Sequence, residues 1–144
     1  MHVHQILRTK SDDGVVTLTP DATLSEAAET LARRRIGAIV ISPDGKRVAG
    51  ILSERDIVRE LARRGPSCLS DRVSTAMTAE IVSCRRDDTA DGVLHKMTEG
   101  RFRHMPVMEG DQMVGLISIG DVVKARLSEL AMEKDALEGM IKGF

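Results

Sequence analysis

This sequence predicts an α/β fold made of two βαββα repeats, with small stacked sheets related by a pseudo-twofold axis. Three observations lead there. The phrase "GILSERD" at residues 50–56 returns as "GLISIGD" at residues 115–121. A helical stripe returns at an offset of 66, with Leu24, Ala27, Ala28 and Leu31 falling on Ala90, Val93, Leu94 and Met97. After each stripe, two short apolar runs flank a turn rich in Gly and Asp.

Taken in order, "VHQIL" spaces Val3 and Leu7 at i, i+4, as a short lead-in helix does, and "VSTAM" spaces Val73 and Met77 the same way. Thr23 and Thr89 stand just before the two striped helices. Thr23 and Glu26 have capping-box spacing, whereas the second copy has Gly92 at the corresponding place and no box. The runs "GAIVIS" and "RVAGIL" around "PDGK" predict a hairpin, and "HMPVM" and "QMVGLI" around "EGDQ" predict it again. The second turn is one residue shorter, so the offset falls to 65 from Gly50 to Gly115 and from Asp56 to Asp121. Helices follow over residues 54–64 and 119–140, and "GPSCLSD" connects the halves. The resulting division is residues 1–66, 67–130 and a C-terminal helical extension 131–144. Neither repeat is large enough to bury both faces of its own sheet, so the two are expected to pack on each other.

Composition narrows the function classes. With 144 residues, 42% hydrophobic and 30% charged, the chain is expected to be a soluble domain, and its N-terminus lacks a secretory pattern, which points to the cytoplasm. Cys68 and Cys84 form neither a CxxC pair nor part of a Cys/His cluster. A net charge of −1 argues against a nucleic-acid-binding surface, and with only Phe102 and Phe144 as aromatics, base-stacking platforms are hard to build. No Ser/His/Asp or Cys/His order suggests catalysis, so no enzyme is expected. "MHVH" with His95 is a weak metal candidate.

The repeated phrase has two readings. As local structure, Ser53 and Ser118 cap the following helices, accepting from the N–H of Asp56 and Asp121 while the carboxylates fold back. As chemistry, one carboxylate can accept from both vicinal hydroxyls of a ribose, and a helix N-terminus favours a nearby phosphate. Arg55 could add a phosphate contact, while Gly120 in the second copy lets backbone approach closely. "EGRFRHMPV" adds Arg101, Arg103 and His104 at the entry of a strand, and Pro106 within it suggests an edge or interrupted ladder with backbone to offer. The plainer account is that these are solvated surface charges and that His104 caps a backbone group; what favours a site is their occurrence beside the Ser/Asp phrase.

With those motifs assembled, the chain resembles a tandem pair of CBS (cystathionine-β-synthase) domains, a Bateman module, from about Val3 to Leu130. The resemblance implies a regulatory module binding AMP, ADP, ATP, NAD(H) or S-adenosylmethionine in two composite clefts. One would combine Val16, Ile36, Gly37 and Ala38 with Leu116, Ser118 and Asp121. The other would combine Thr78, Val82, Phe102, Arg103, His104 and Met105 with Ile51, Ser53, Arg55 and Asp56. The carboxylates would hold ribose; Arg55, Arg103 and His104 would face phosphate. Gly37 and Ala38 stand where the second repeat has Arg103 and His104, so the first cleft lacks donors of its own there, and the lead-in insertion "TKSDDG" leaves Thr9 or Lys10 to face the adenine. Expected partners are an adenine nucleotide, a second copy of the chain and an effector protein, with neither nucleic acid nor membrane. The competing expectation is a purely structural dimerisation domain, suggested by Val123, Leu127, Leu130, Leu137 and Ile141 along one helix face, interrupted by Lys134. The simpler account of that stripe is packing on its own domain.

Overall fold

The computed structural model describes residues 1–10 and 14–141. The inserted stretch "TKSDDG" therefore lies partly outside the described residues, at 11–13. The architecture is mixed α/β, with five α-helices and two small sheets among the described residues. In order, the elements are α1 (Val3–Thr9), β1 (Thr17–Leu18), α2 (Leu24–Arg34), β2 (Ala38–Ile41), β3 (Gly50–Ser53), α3 (Glu54–Arg64), α4 (Ala90–Gly100), β4 (His104–Glu109), β5 (Gln112–Ser118) and α5 (Ile119–Ile141). Two 3₁₀ turns, Pro66–Ser70 and Val73–Thr75, lie between α3 and α4.

The chain forms two compact units, and neither is a contiguous half. One comprises residues 13–82 and 109–114; the other comprises 1–12, 83–108 and 115–144.

In the first of these, β1, β2 and β3 form one sheet in that order. β1 runs parallel to β2, pairing Leu18 with Ile41, and β2 runs antiparallel to β3, pairing Val40 with Ile51. All four residues of β2 are buried, which suits its unbroken Ala-Ile-Val-Ile run. The predicted stripe of α2 packs Leu24, Ala27 and Leu31 against Ile39, Ile41, Leu52 and Ile57. Full burial of side chains such as Leu24, Ile39 and Leu52 contributes roughly 1.5–3 kcal/mol each. Thr23 Oγ1 accepts from Glu26 N at 3.1 Å, which is the capping half of the predicted box. The hairpin turn closes through Gly45 at φ 81°, while Asp44 accepts from the amides of Lys46 and Arg47, both at 2.9 Å.

The second unit repeats this plan with one reduction. Its first strand is a single parallel bridge, Cys84 to Val107, in place of a strand like β1. That bridge corrects the expectation for Pro106: its carbonyl accepts from Cys84 N at 3.0 Å, so that part of the ladder is already engaged. α4 buries Ala90, Val93 and Met97, and α5 buries Val122 and Ala125.

The lead-ins change places. Val3 N donates to Asp88 O at 2.9 Å and His2 bridges to Thr89, so the first lead-in joins the second repeat's helix start. Val73 N donates to Ala22 O at 2.7 Å and Arg72 bridges to Thr23, so the second lead-in joins the first repeat's. The second lead-in is a 3₁₀ turn closed by Ala76 N to Val73 O at 3.1 Å, in place of the predicted short helix. Each lead-in ends over the glycine that opens the repeated phrase: Leu7 against Gly115, and Met77 against Gly50.

Candidate functional site

In the unit holding residues 13–82, β3 ends at Ser53 and α3 starts at once. Ser53 Oγ accepts from Asp56 N at 3.3 Å and donates to Asp56 Oδ2 at 3.1 Å, while Ser53 N donates to the same oxygen at 2.8 Å. The full capping box is thus present. The Asp56 carboxylate is buried, and the Arg59 guanidinium, one turn along, pairs with Oδ1. Gly37 O accepts from Glu54 N at 3.0 Å, which brings the Ile36-Gly37 corner to the opening of α3. Thr78 and Ile51 exchange backbone hydrogen bonds of 3.0 and 2.9 Å, adding the second lead-in to the free edge of β3. The sequence-predicted residues Gly37, Ile51, Ser53, Asp56 and Thr78 therefore converge within one unit. Arg55, Thr78 and Val82 are exposed there, Val16 and Ile36 are half-buried, and Ala38 lies in the buried strand β2.

The other unit repeats the turn with different chemistry around it. Ser118 N donates to Asp121 Oδ2 at 2.9 Å, and Asp121 N donates to Ser118 Oγ at 3.2 Å. Here the carboxylate also takes Lys10. The ammonium donates to Asp121 Oδ2 at 2.8 Å and to Leu116 O at 2.7 Å. Burial pushes the Asp121 carboxyl up, but the Lys10 ammonium and the Ser118 amide outweigh it and hold it below its ordinary value. Arg103 O accepts from Ile119 N at 2.8 Å, the counterpart of Gly37 and Glu54, so Arg103 sits at the opening of α5 in the same unit as Asp121. His104 opens β4, Met105 is buried behind it, and the Phe102 ring lies against Gly100.

Sequence reasoning left Lys10 as one of two adenine-facing options and missed its role as the partner of Asp121. Thr9, the other option, turns inward on its own helix, donating from Oγ1 to Ile6 O at 2.7 Å. The members of each predicted composite cleft fall in both units: Asp121 belongs with Arg103 and Lys10, and Asp56 with Gly37 and Thr78.

A separate open groove of about 550 Å³ lies between α2 and α3, lined by Leu31, Arg35, Ile36, Gly37, Glu54, Ile57 and Val58 among others. It includes Ile36 and Gly37 and, from the Ser-x-x-Asp turn, Glu54 but neither Ser53 nor Asp56. No group of three or more His, Cys, Asp or Glu side chains is placed to hold a metal ion among the described residues. Burial, with Asp88 nearby, pushes the Cys84 thiol up to about 12, so it stays a neutral, unreactive core group. No helix of the described residues is long and apolar enough to cross a membrane.

Known proteins share this plan. The family profile described as "CBS domain" matches residues 5–63 and 73–128. The chain is similar to the CBS domain-containing protein CBSX3, mitochondrial, of Arabidopsis thaliana, at 34% identity over 93% of this chain and 68% of that protein. A crystal structure of a CBS-domain protein from Agrobacterium tumefaciens is 46% identical, covers 88% of this chain and 99% of its own, and superposes with a TM-score of 0.83. A CBS domain protein from Pyrobaculum aerophilum, solved complexed with AMP, is 28% identical over 92% of this chain and 99% of its own, with a TM-score of 0.77.

Proposed function

The chain belongs to the CBS-domain family, carrying two CBS domains in tandem, and from that premise we propose that it is a non-catalytic regulatory module that binds an adenine nucleotide. AMP is the first candidate, followed by ADP, ATP and NAD(H). The carboxylates of Asp56 and Asp121 accept the ribose hydroxyls, and Arg55, Arg103 and His104 meet phosphate. The observation that carries this reading is the twice-built Ser-x-x-Asp turn at the ends of β3 and β5, in a fold shared with a relative that is complexed with AMP. Capping and binding are compatible, because the cap uses Oδ2 in both turns; at Asp56 a ribose hydroxyl would share or displace the Arg59 guanidinium on Oδ1. The downstream partner is an effector protein, reached in the cytoplasm by a second copy of the chain acting with the first.

Calorimetric titration and thermal melting with AMP, ATP, NADH and S-adenosylmethionine test it. A nucleotide present at 100 times its dissociation constant stabilises the protein by about 2.7 kcal/mol. Asp56→Asn and Asp121→Asn should each remove part of that gain, since an amide offers only one acceptor oxygen. If none of the four ligands raises the melting temperature or gives heat, the reading is wrong.

A second reading, a structural dimerisation module without a physiological nucleotide, is favoured by one observation. The stripe of α5 does not pack on its own domain: Leu127 and Leu137 are 62% and 60% exposed. A dimer whose dissociation constant ignores all four ligands would decide for it.

A further inference from the structure

α5 carries an apolar seam that its own chain leaves uncovered. Val123, Leu127, Leu130, Leu137 and Ile141 are all exposed, from 39% at Val123 to 85% at Ile141. With Lys134 they follow intervals of four, three, four, three and four residues, the a/d spacing of a coiled-coil seam. The buried residues Val122 and Ala125 lie on a different face, turned toward the unit's interior. The seam is therefore free along its length, about 27 Å at 1.5 Å per residue.

The order of intervals reads the same from either end, with Met132 at its centre. We propose that α5 is a self-complementary dimerisation helix that pairs antiparallel with α5 of a second copy. Every layer then closes: Val123 meets the partner's Ile141, Leu127 the partner's Leu137, and Leu130 the partner's Lys134. Charge chooses this direction over a parallel one. In parallel register Lys134 would stack on the partner's Lys134, and Glu133 would flank the partner's Glu138, two like-charge contacts. In antiparallel register Lys134 lays its stem on a leucine, and Lys124 comes beside the partner's Glu138. The two Glu133 carboxylates meet near the dyad, where both Lys134 ammoniums are adjacent to neutralise them. The first turns of α5 are already held by α4 and α1, so pairing extends a formed helix without a nucleation cost.

This inference rests on the homodimer named above, and the test separates the two. Cys68 and Cys84 are buried, so an introduced surface thiol reports alone. Ala131→Cys and Leu137→Cys variants of the full chain are oxidised and run on non-reducing gels, beside sedimentation velocity of the unmodified protein. Antiparallel pairing brings residue 131 next to its own copy and holds the two residues 137 about 15 Å apart along the axis. The expected result is a cross-linked dimer with Ala131→Cys only, and a dimer dissociation constant raised about 100-fold by Leu137→Glu with the circular dichroism unchanged. Cross-linking by Leu137→Cys instead of Ala131→Cys means a parallel pair and overturns the inference while the homodimer stands. A dimer that forms neither cross-link and ignores Leu137→Glu uses another face and also overturns it. A monomer at all concentrations overturns both.

Discussion

At Asp121 one carboxylate oxygen serves three masters: the Ser118 amide, the Lys10 ammonium and the end of a helix whose dipole favours negative charge. Its carboxyl is held below the ordinary value of 3.8, so the Lys10 pair contributes stability above pH 3.8, and that contribution fades as the pH falls through the lower folded value. Lys10→Met should therefore destabilise the protein by no more than about 1 kcal/mol near neutrality, since both side chains are partly exposed. Urea unfolding of both proteins from pH 3 to pH 7 should show the gap closing at the acid end. A gap independent of pH would mean that Lys10 acts through packing and not charge. The Ser-x-x-Asp turns were legible in the sequence because a cap is settled within three residues. Lys10 was not, because its contact with Leu116 joins residues 106 positions apart, and no local pattern encodes that.

Among the elements, the glycine opening each repeated phrase has a packing reason. A Cβ on Gly50 would come within 2.5 Å of the Met77 sulfur and 3.0 Å of the Thr78 carbonyl oxygen, whereas one on Gly115 would meet only the end of the Leu7 side chain, at 2.8 Å. A leucine tip can rotate away; a backbone carbonyl that is paired with Ile51 cannot. Gly50→Ala should cost roughly 1–3 kcal/mol, and Gly115→Ala should cost less than Gly50→Ala. Equal losses in denaturant midpoint would show that the two lead-ins are held with the same rigidity. Periodicity gave α3 its bounds at 54 and 64, because a serine cap opens it and Gly65, at φ 73°, closes it. It overestimated the first strand of the second repeat, where only Cys84 pairs, and the helicity of "VSTAM", where β-branched Val and Thr settle for a 3₁₀ turn. The stripe of α5 was visible too, but periodicity states that a face is apolar without stating what covers it.

For the whole molecule, the exchange of lead-ins decides which parts share their stability. Ile6 is 1% exposed and sits in the unit that holds α4, β4 and α5. Ile6→Ala should cost about 2–5 kcal/mol. Hydrogen exchange should show the loss of protection in α4, β4 and α5, with α2 and β2 spared. Val73→Ala should reverse the pattern. If both variants loosen both sets of elements equally, the protein unfolds as one cooperative block. The duplication itself was plain from the sequence, since repeated stripes and phrases need only be aligned. The exchange was not, because Val3 and Val73 read identically whether each joins its own repeat or the other.

The crossing also sets a timetable for synthesis. Residues 1–10 leave the ribosome well before the groups that satisfy them, Asp88, Thr89, Gly115 and Asp121, have been made. At about 5–20 residues per second, the first helix waits several seconds with Val3 and Ile6 uncovered. Meanwhile the stretch through Val82 already holds nearly all of its own unit and can fold ahead of it. An early-made segment thus waits for a late-made one, and a product truncated before residue 88 keeps Val3 and Ile6 without the partners that bury them.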